Sequence, residues 1–128
     1  MEKLTYAMEN YLEAIYELSA GESGVRVSDI SERLGVTKAS VNNAMATLAN
    51  KGLVINEKYK EVLLTSAGLK QAKMTSKKHN TLLDFFTKIL KVNEDIADKD
   101  ACSIEHVISN DTINAMQEYL NNIKSINS

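Results

Sequence analysis

Three residues near the end of the chain have side chains that can bind a metal and a spacing that can bring them together. Cys102, Glu105 and His106 stand at positions i, i+3 and i+4, and such positions share one face of an α-helix. A thiolate, a carboxylate and an imidazole in one place form a partial ligand shell for a divalent transition metal. One helical turn does not complete a site, so the sequence predicts that further ligands come from other elements.

The composition restricts the class of protein. The 128 residues include 44% hydrophobic and 25% charged residues, as is typical of a soluble globular protein. No apolar run approaches the ~18 residues of a membrane helix, and the N-terminus lacks the apolar core of a signal peptide. A single cysteine cannot form an internal disulfide. These features predict a cytoplasmic protein without a membrane partner.

Positive charge is concentrated in the middle of the chain. Residues 33–78 contain nine Lys or Arg and only two acidic residues, whereas the segments on either side have a net negative charge. A basic middle between acidic ends indicates a surface that binds a polyanion. A set of unrelated solvated lysines would give the same count.

The basic segment begins with the pattern of a helix-turn-helix. Ser28 can cap a short helix, Gly35 can form the turn, and Thr37 can cap a second helix. The start of the second helix of such a motif enters the DNA major groove, where short polar side chains reach base edges. An ordinary helix pair of a bundle is the alternative. The side chains predicted to contact DNA are Thr37, Lys38, Ala39, Ser40, Asn42 and Asn43.

The segment after this motif favours DNA binding over a plain bundle. Residues 53–55 and 62–64 are β-prone runs on either side of a polar turn. Two strands and a basic tip after a helix-turn-helix predict a winged helix. Lys58 and Lys60 at the tip would contact phosphates, which positions the protein without reading the base sequence.

The second half of the chain is predicted to be helical. A dense apolar cluster is formed by Leu82, Leu83, Phe85, Phe86, Ile89 and Leu90. We interpret it as part of a dimer interface rather than a purely internal core. Residues 91–100 are predicted to be a polar connection before a helix over 101–109, and Ser109 or Asp111 to cap the last helix. The predicted fold is mainly α, with a winged helix-turn-helix over 1–75 and a helical metal-binding and dimerisation domain over 76–128.

Several motifs taken together resemble the diphtheria toxin repressor and manganese transport regulator family of metal-dependent bacterial repressors. They are Met-Glu-Asn-Tyr-Leu-Glu-Ala-Ile-Tyr at 8–16, Val-Ser-Asp-Ile at 27–30, Gly-Leu-Val at 52–54, Leu-Thr-Ser-Ala-Gly at 64–68, a lone His79, and Ala-Cys-Ser-Ile-Glu-His-Val-Ile-Ser at 101–109. The resemblance covers nearly the whole chain, and the last motif is the most specific. It is to the short, manganese-regulator type, which has no C-terminal SH3-like domain.

The resemblance implies a particular set of metal ligands. They are Asn10 and Glu13 on an amphipathic helix predicted from Leu4 to about Ser19, His79 on a helix predicted to begin after Thr65 and Ser66, and Cys102, Glu105 and His106. Asn10 stands where the family commonly has Asp or Met, and it can offer an amide oxygen but no charge. Leu83 and Asp98 stand where the longer iron repressors have ligands of an ancillary site. We therefore expect one well-formed site per subunit, and the existence of a second is left open.

These features predict a homodimeric repressor that uses Fe²⁺ or Mn²⁺ as corepressor and binds a palindromic operator of metal-homeostasis genes. The metal would fix the separation of the two recognition helices. Because Asn10 is uncharged, a winged-helix regulator that has lost metal control and senses an organic ligand or an oxidant through Cys102 is the alternative. An enzyme that pairs Cys102 with His106 is not expected, since no Gly-rich loop, oxyanion donors or substrate pocket are visible. No small-molecule substrate is expected either.

Overall fold

The computed structural model describes residues 4–19 and 23–127. The chain divides into two compact units, Met1–Met74 and Thr75–Ser128. The mainly helical class predicted from the sequence is confirmed, with one two-stranded sheet among the described residues. In that part of the chain, no helix is both long and apolar enough to cross a membrane.

The first unit is a winged helix-turn-helix. Its elements are α1 (Tyr6–Ser19), α2 (Val27–Leu34), α3 (Lys38–Asn50), β1 (Val54–Ile55), β2 (Leu63–Leu64) and the start of α4 (Ser66–Asp84). The apolar residues of α1 recur every three or four positions, so they form one stripe. This stripe packs with side chains of α2 and α3 into a core that includes Leu12, Ile15, Ile30, Met45 and Leu48.

Local capping determines the turn between α2 and α3. Gly35 has a φ of 66°, in the left-handed region that glycine adopts without strain. Thr37 precedes α3, and its side-chain oxygen accepts a hydrogen bond from the backbone N–H of Ser40 at 3.1 Å. Both roles were predicted from the sequence and are confirmed. The predicted cap at Ser28 is wrong, because α2 already begins at Val27.

The wing is a short antiparallel pair in which Val54 faces Leu64 and Ile55 faces Leu63. Val25 extends it by exchanging two backbone hydrogen bonds with Val62, at 2.9 and 2.8 Å. The regular strands are therefore shorter than the β-prone runs of the sequence.

The wing is joined to α4 by a close backbone contact. The hydroxyl of Thr65 accepts a hydrogen bond from the N–H of Gly68 at 3.1 Å and donates one to the carbonyl of Gly52 at 2.7 Å. A Cβ atom on Gly68 would lie 1.9 Å from the carbonyl oxygen of Leu53. No side chain fits at this position. Glycine is therefore required because a Cβ atom would clash with the backbone, and not because of its φ angle.

The second unit contains the later part of α4, a π-helical turn (Phe85–Ile89), α5 (Glu94–Ile104) and α6 (Asn110–Asn127). Its small core is formed by Leu82, Ala101 and Ile113 with partly buried neighbours. The apolar cluster predicted at 82–90 is divided, because Leu82 is buried in this core whereas Leu90 is 56% exposed.

The segment predicted to be a polar connection, 91–100, is largely helical, and that prediction is wrong. Helix α5 begins at Glu94, and the Asn93 side chain caps it by accepting hydrogen bonds from the N–H groups of Asp95 and Ile96. Cys102 therefore lies in the last turn of a helix and not in the first. The predicted cap of α6 at Ser109 is confirmed by its hydrogen bond from the N–H of Thr112 at 3.1 Å.

Replacing Asn93 with alanine should lower the free energy of unfolding by about 1 kcal/mol, because two N–H groups at the start of α5 would lose their acceptor. Urea denaturation followed by circular dichroism would measure the change. Asn114→Ala, at an exposed position of α6, is the control and should change stability by less than ~0.5 kcal/mol. Equal effects of the two substitutions would contradict a capping role for Asn93.

Candidate functional site

Three possible metal ligands of the second unit lie close together. Ligand atoms of His79 on α4, Cys102 in the last turn of α5 and Glu105 directly after α5 all lie within 4.8 Å of one another. A metal bound about 2.0–2.3 Å from each donor needs donors no more than about 4.6 Å apart. An imidazole, a thiol and a carboxylate also suit a divalent transition metal. Small shifts of these three side chains would therefore let them bind one cation together.

Glu105 lies between the two histidines of the chain. Its Oε2 is 3.3 Å from Nδ1 of His79, and its Oε1 is 3.4 Å from Nε2 of His106. Glu105 is 1% exposed and His106 is 5% exposed. Burying a carboxylate is unfavourable unless it is paired or coordinates a metal. This position is therefore well suited to a carboxylate that binds a cation.

The end of α5 determines which of the predicted ligands meet. The helix ends at Ile104, although the N–H of Glu105 still bonds to the carbonyl of Ala101 at 2.9 Å. Exposed Cys102 shares the cluster with His79 and Glu105, whereas buried His106 faces Glu105 and is not a member of that group. Glu105 is therefore close both to the pair His79 and Cys102 and to His106.

The ligands implied on the first helix belong to the first unit. Asn10 and Glu13 are both half-buried and stand three residues apart on α1, so they are neighbours on its surface. Their participation in the metal site stays a prediction.

Two contacts beside the cluster were not anticipated from the sequence. Asp98 on α5 lies 2.9 Å from Nε2 of His79, and Lys78 donates a hydrogen bond to the carbonyl of Ile108 at 2.8 Å. Asp98 and Cys102 are four residues apart and share one face of α5. If the start of α5 had been predicted correctly, this spacing would have indicated that Asp98 lies beside the metal-ligand cluster. The Lys78 contact has no such sequence signal, since its partner is a backbone carbonyl thirty positions away.

The predicted DNA-contacting side chains of α3 are on the surface of the first unit. Thr37, Lys38, Ala39, Ser40, Asn42 and Asn43 are all exposed, while Val41, Met45 and Leu48 face the core. A cleft of about 670 Å³ has Asn42 of α3 on its wall together with Lys58 and Lys60 of the wing. The recognition helix and the wing therefore border one groove.

The same cleft is lined by Arg26 and Tyr59, which were not singled out from the sequence. Tyr59 at the wing tip is 95% exposed and has a φ of 63°, which is an unusual conformation for an aromatic residue. The ammonium of Lys58 lies 5.2 Å from the centroid of its ring. Lys60 is paired with Glu57 at 2.8 Å, so one of the two predicted phosphate contacts is already engaged within the wing.

Two known protein families match successive parts of this chain. Residues 3–62 match the family described as iron dependent repressor, N-terminal DNA binding domain. Residues 65–126 match the family described as iron dependent repressor, metal binding and dimerisation domain.

Individual relatives point to the same group. The HTH-type transcriptional regulator MntR of Lysinibacillus sphaericus (strain C3-41) is 35% identical over 114 residues, which cover 89% of this chain and 81% of the relative. MntR of Bacillus subtilis (strain 168) is 39% identical over 105 residues, covering 82% of this chain and 73% of the relative. The solved structure of the manganese regulator SloR is similar with a TM-score of 0.76 and 28% identity, covering 89% of this chain but 53% of that one.

The resemblance inferred from the sequence motifs is confirmed by these matches, which together extend over both halves of the chain. The relatives are regulators of transcription rather than enzymes, as predicted. The chain belongs to the iron-dependent repressor family, the metal-dependent DNA-binding transcriptional repressors that include the diphtheria toxin repressor and the manganese transport regulator.

Proposed function

We propose that this chain is a homodimeric repressor that is activated by Mn²⁺ or Fe²⁺ and binds a palindromic operator of metal-homeostasis genes in the cytoplasm. The observation that carries the proposal is the convergence of His79, Cys102 and Glu105 on one position of the second unit. Three donors of different chemical type that meet at one position match the ligand set of a divalent transition metal.

The donor set is compatible with both metals. A carboxylate and an imidazole suit Mn²⁺, and a thiolate is a softer ligand that favours Fe²⁺. The similar regulator SloR is described as a manganese regulator. Since affinities of divalent metals follow the Irving–Williams order, availability in the cell would decide which metal is used. We propose one such site per subunit.

The remaining ligands are proposed from the family resemblance alone. It implies that Asn10 and Glu13 of α1 complete the shell together with His106. A metal that takes ligands from both the DNA-binding half and the dimerisation half would bind some arrangements of the two halves more tightly than others. Such a difference favours the arrangement in which two recognition helices match the spacing of two operator half-sites.

The DNA contacts are proposed at the start of α3 and at the wing. Thr37, Ser40, Asn42 and Asn43 can exchange hydrogen bonds with base edges or phosphates, and the methyl group of Ala39 can contact thymine. Lys38, Lys58 and Lys60 would neutralise phosphates and position the two subunits.

Exposed apolar side chains of the second unit support dimerisation. Leu90, Ile96, Val107 and Tyr119 are between 51% and 69% exposed, although this unit has only a small core of its own. Apolar side chains of this kind mark a site of protein association when they form one contiguous patch. Sedimentation equilibrium should therefore give a mass of two chains.

A gel shift tests the proposal, using a duplex selected from a random pool with Mn²⁺-loaded protein. We expect binding to require Mn²⁺ or Fe²⁺, to disappear in excess chelator, and to be lost in His106→Ala. Glu118→Ala, at an exposed position of α6, should bind like the wild type. Equal binding with and without chelator would refute metal control but leave DNA binding intact.

Sensing through Cys102 is the second candidate function, because this thiol is exposed and so accessible to an oxidant. Calorimetric titration with Mn²⁺ separates the two candidates. A metal-controlled repressor binds Mn²⁺ before any peroxide treatment, and its DNA binding requires that metal. A redox sensor would bind no Mn²⁺ and would lose DNA affinity after peroxide treatment in the wild type but not in Cys102→Ser.

Replacing Lys58 with alanine should weaken DNA binding at low salt and reduce the slope of log K against log salt by about one unit, because one phosphate contact is lost. Fluorescence anisotropy between 50 and ~200 mM salt would measure this slope. Lys124→Ala, at an exposed position of α6, removes the same charge outside the proposed interface. An unchanged slope in Lys58→Ala would exclude this lysine from the phosphate contacts.

A further inference from the structure

His79 has a carboxylate beside each of its two ring nitrogens. Nε2 lies 2.9 Å from Oδ1 of Asp98, and Nδ1 lies 3.3 Å from Oε2 of Glu105. The His79 side chain is 20% exposed, between a half-exposed Asp98 and a fully buried Glu105. The ring is therefore placed between a carboxylate at the surface and a carboxylate in the interior.

A neutral imidazole has one N–H donor, and an ionised carboxylate can only accept. The two carboxylates thus compete for a single proton of the ring. The 2.9 Å distance to Asp98 is the usual length of an N–H···O hydrogen bond, whereas 3.3 Å to Glu105 is longer than the common range. The geometry favours the N–H on Nε2, which leaves the lone pair of Nδ1 directed toward Glu105.

We propose that Asp98 is a positioning residue that holds His79 in the Nε2–H tautomer and aims Nδ1 into the cluster with Cys102 and Glu105. A histidine that binds metal through one nitrogen is commonly oriented by a carboxylate that accepts from the other. Asp98 is placed for this task because it lies one helical turn before Cys102 on the same face of α5. The inference rests on the proposed metal site and identifies how one of its ligands is oriented.

Asp98 does not act as a further ligand of the same cation in this arrangement. The lone pair of Nδ1 and the N–H bond of Nε2 point away from each other in the plane of the ring, so a group bonded at Nε2 is on the far side from a metal at Nδ1. In agreement with this, ligand atoms of His79, Cys102 and Glu105 lie within 4.8 Å of one another, and Asp98 is not a member of that group.

The tautomer can be measured without any metal. The chain has two histidines, so a long-range ¹H–¹⁵N spectrum of the metal-free protein contains only two imidazole patterns, and His79→Gln assigns them. We expect the Nε2–H pattern for His79 in the wild type and a mixture of tautomers in Asp98→Ala. Asp98→Asn keeps an oxygen acceptor and should be intermediate. Asp100→Ala, two positions further along α5 and exposed, should resemble the wild type.

Calorimetric titration of the same variants with Mn²⁺ gives the second readout. Asp98→Ala should weaken binding by about 10-fold or more, in the range found for carboxylates that orient metal-binding histidines, and Asp100→Ala should leave the affinity within about twofold. Because Asp98 is half-exposed, its removal should leave circular dichroism unchanged.

The outcomes separate this inference from the proposed function. A wild-type Nδ1–H pattern, or a reduced Mn²⁺ affinity in Asp98→Ala without any change of tautomer, overturns the positioning role. Absence of binding of both Mn²⁺ and Fe²⁺ in the wild type refutes the metal-activated repressor, and the inference with it, even if Asp98 does determine the tautomer. A changed tautomer together with weakened Mn²⁺ binding supports both.

Discussion

Glu105→Gln should reduce the affinity for Mn²⁺ by more than about 100-fold. Removing a residue that only hydrogen-bonds to a metal ligand typically costs about 10- to 100-fold, and the loss of a ligand itself should exceed that. The substitution keeps the shape of the side chain but removes the negative charge that faces both His79 and His106. Isothermal titration calorimetry would measure the affinity, and the gel shift described above should become insensitive to Mn²⁺.

The same substitution should not unfold the protein. The glutamine side chain has nearly the same shape as glutamate, and its neutral amide can donate a hydrogen bond to an imidazole nitrogen. We therefore expect the free energy of unfolding without metal to fall by no more than ~1 kcal/mol. Glu118→Gln, on the surface of α6, is the matched control and should bind Mn²⁺ normally. A dissociation constant of Glu105→Gln within tenfold of the wild type would remove Glu105 from the site.

Gly68→Ala should be among the most destabilising single-methyl substitutions in this chain, with a loss of about 3 kcal/mol or more. The added Cβ would lie 1.9 Å from the carbonyl oxygen of Leu53, which is backbone and cannot turn away. The start of α4 and the start of the wing would have to separate, with loss of the Thr65 hydrogen bonds. Overpacking of this kind typically costs about 1–3 kcal/mol and more where the surroundings are rigid.

Gly35→Ala is the informative comparison for Gly68→Ala. A Cβ on Gly35 would meet no atom within 4 Å, but its φ of 66° is unfavourable for alanine. We expect a loss of about 1–2 kcal/mol from that conformation alone. Chemical denaturation of both variants measures the difference, and a smaller effect for Gly68→Ala than for Gly35→Ala would contradict the close backbone contact.

The helix-turn-helix could be predicted because its signals are local. Gly35 and Thr37 act on backbone groups within a few residues of themselves, so their roles follow from residue type and position. The cap assigned to Ser28 failed for a related reason. Residue 27 already has helical geometry, and the residue before it, Arg26, takes the capping position without a side-chain hydrogen bond.

Helix α5 was predicted over 101–109 instead of Glu94–Ile104 because its buried face is formed mainly by small residues. Ala97 and Ala101 are its buried positions, and they give little apolar periodicity against many acidic neighbours. The better signal was the start of the helix, where Asn93 precedes Glu94 and Asp95. A capping residue followed by acidic residues in the first turn is a typical helix N-terminus.

The metal cluster could be predicted only in part from spacing along the chain. Cys102 and Glu105 are near neighbours in sequence, and the family resemblance supplied His79. The contact between His79 and Glu105 joins residues 26 positions apart, and the ion pair between Glu17 and Arg33 joins α1 to α2. Such pairs depend on how helices pack, which no local pattern encodes.

The ion pair between Lys60 and Glu57 leaves the wing tip almost neutral before it meets DNA. Residues 57–61 contain two Glu and two Lys, so the tip would exert little long-range attraction on phosphates. To contact a phosphate, Lys60 must exchange its carboxylate partner for a new one, which makes that contact favourable only at close approach. The wing would then contribute little to the affinity for non-operator DNA. It would contribute more once the recognition helix lies in the major groove of the operator. A protein built this way spends less of its search bound to the wrong DNA.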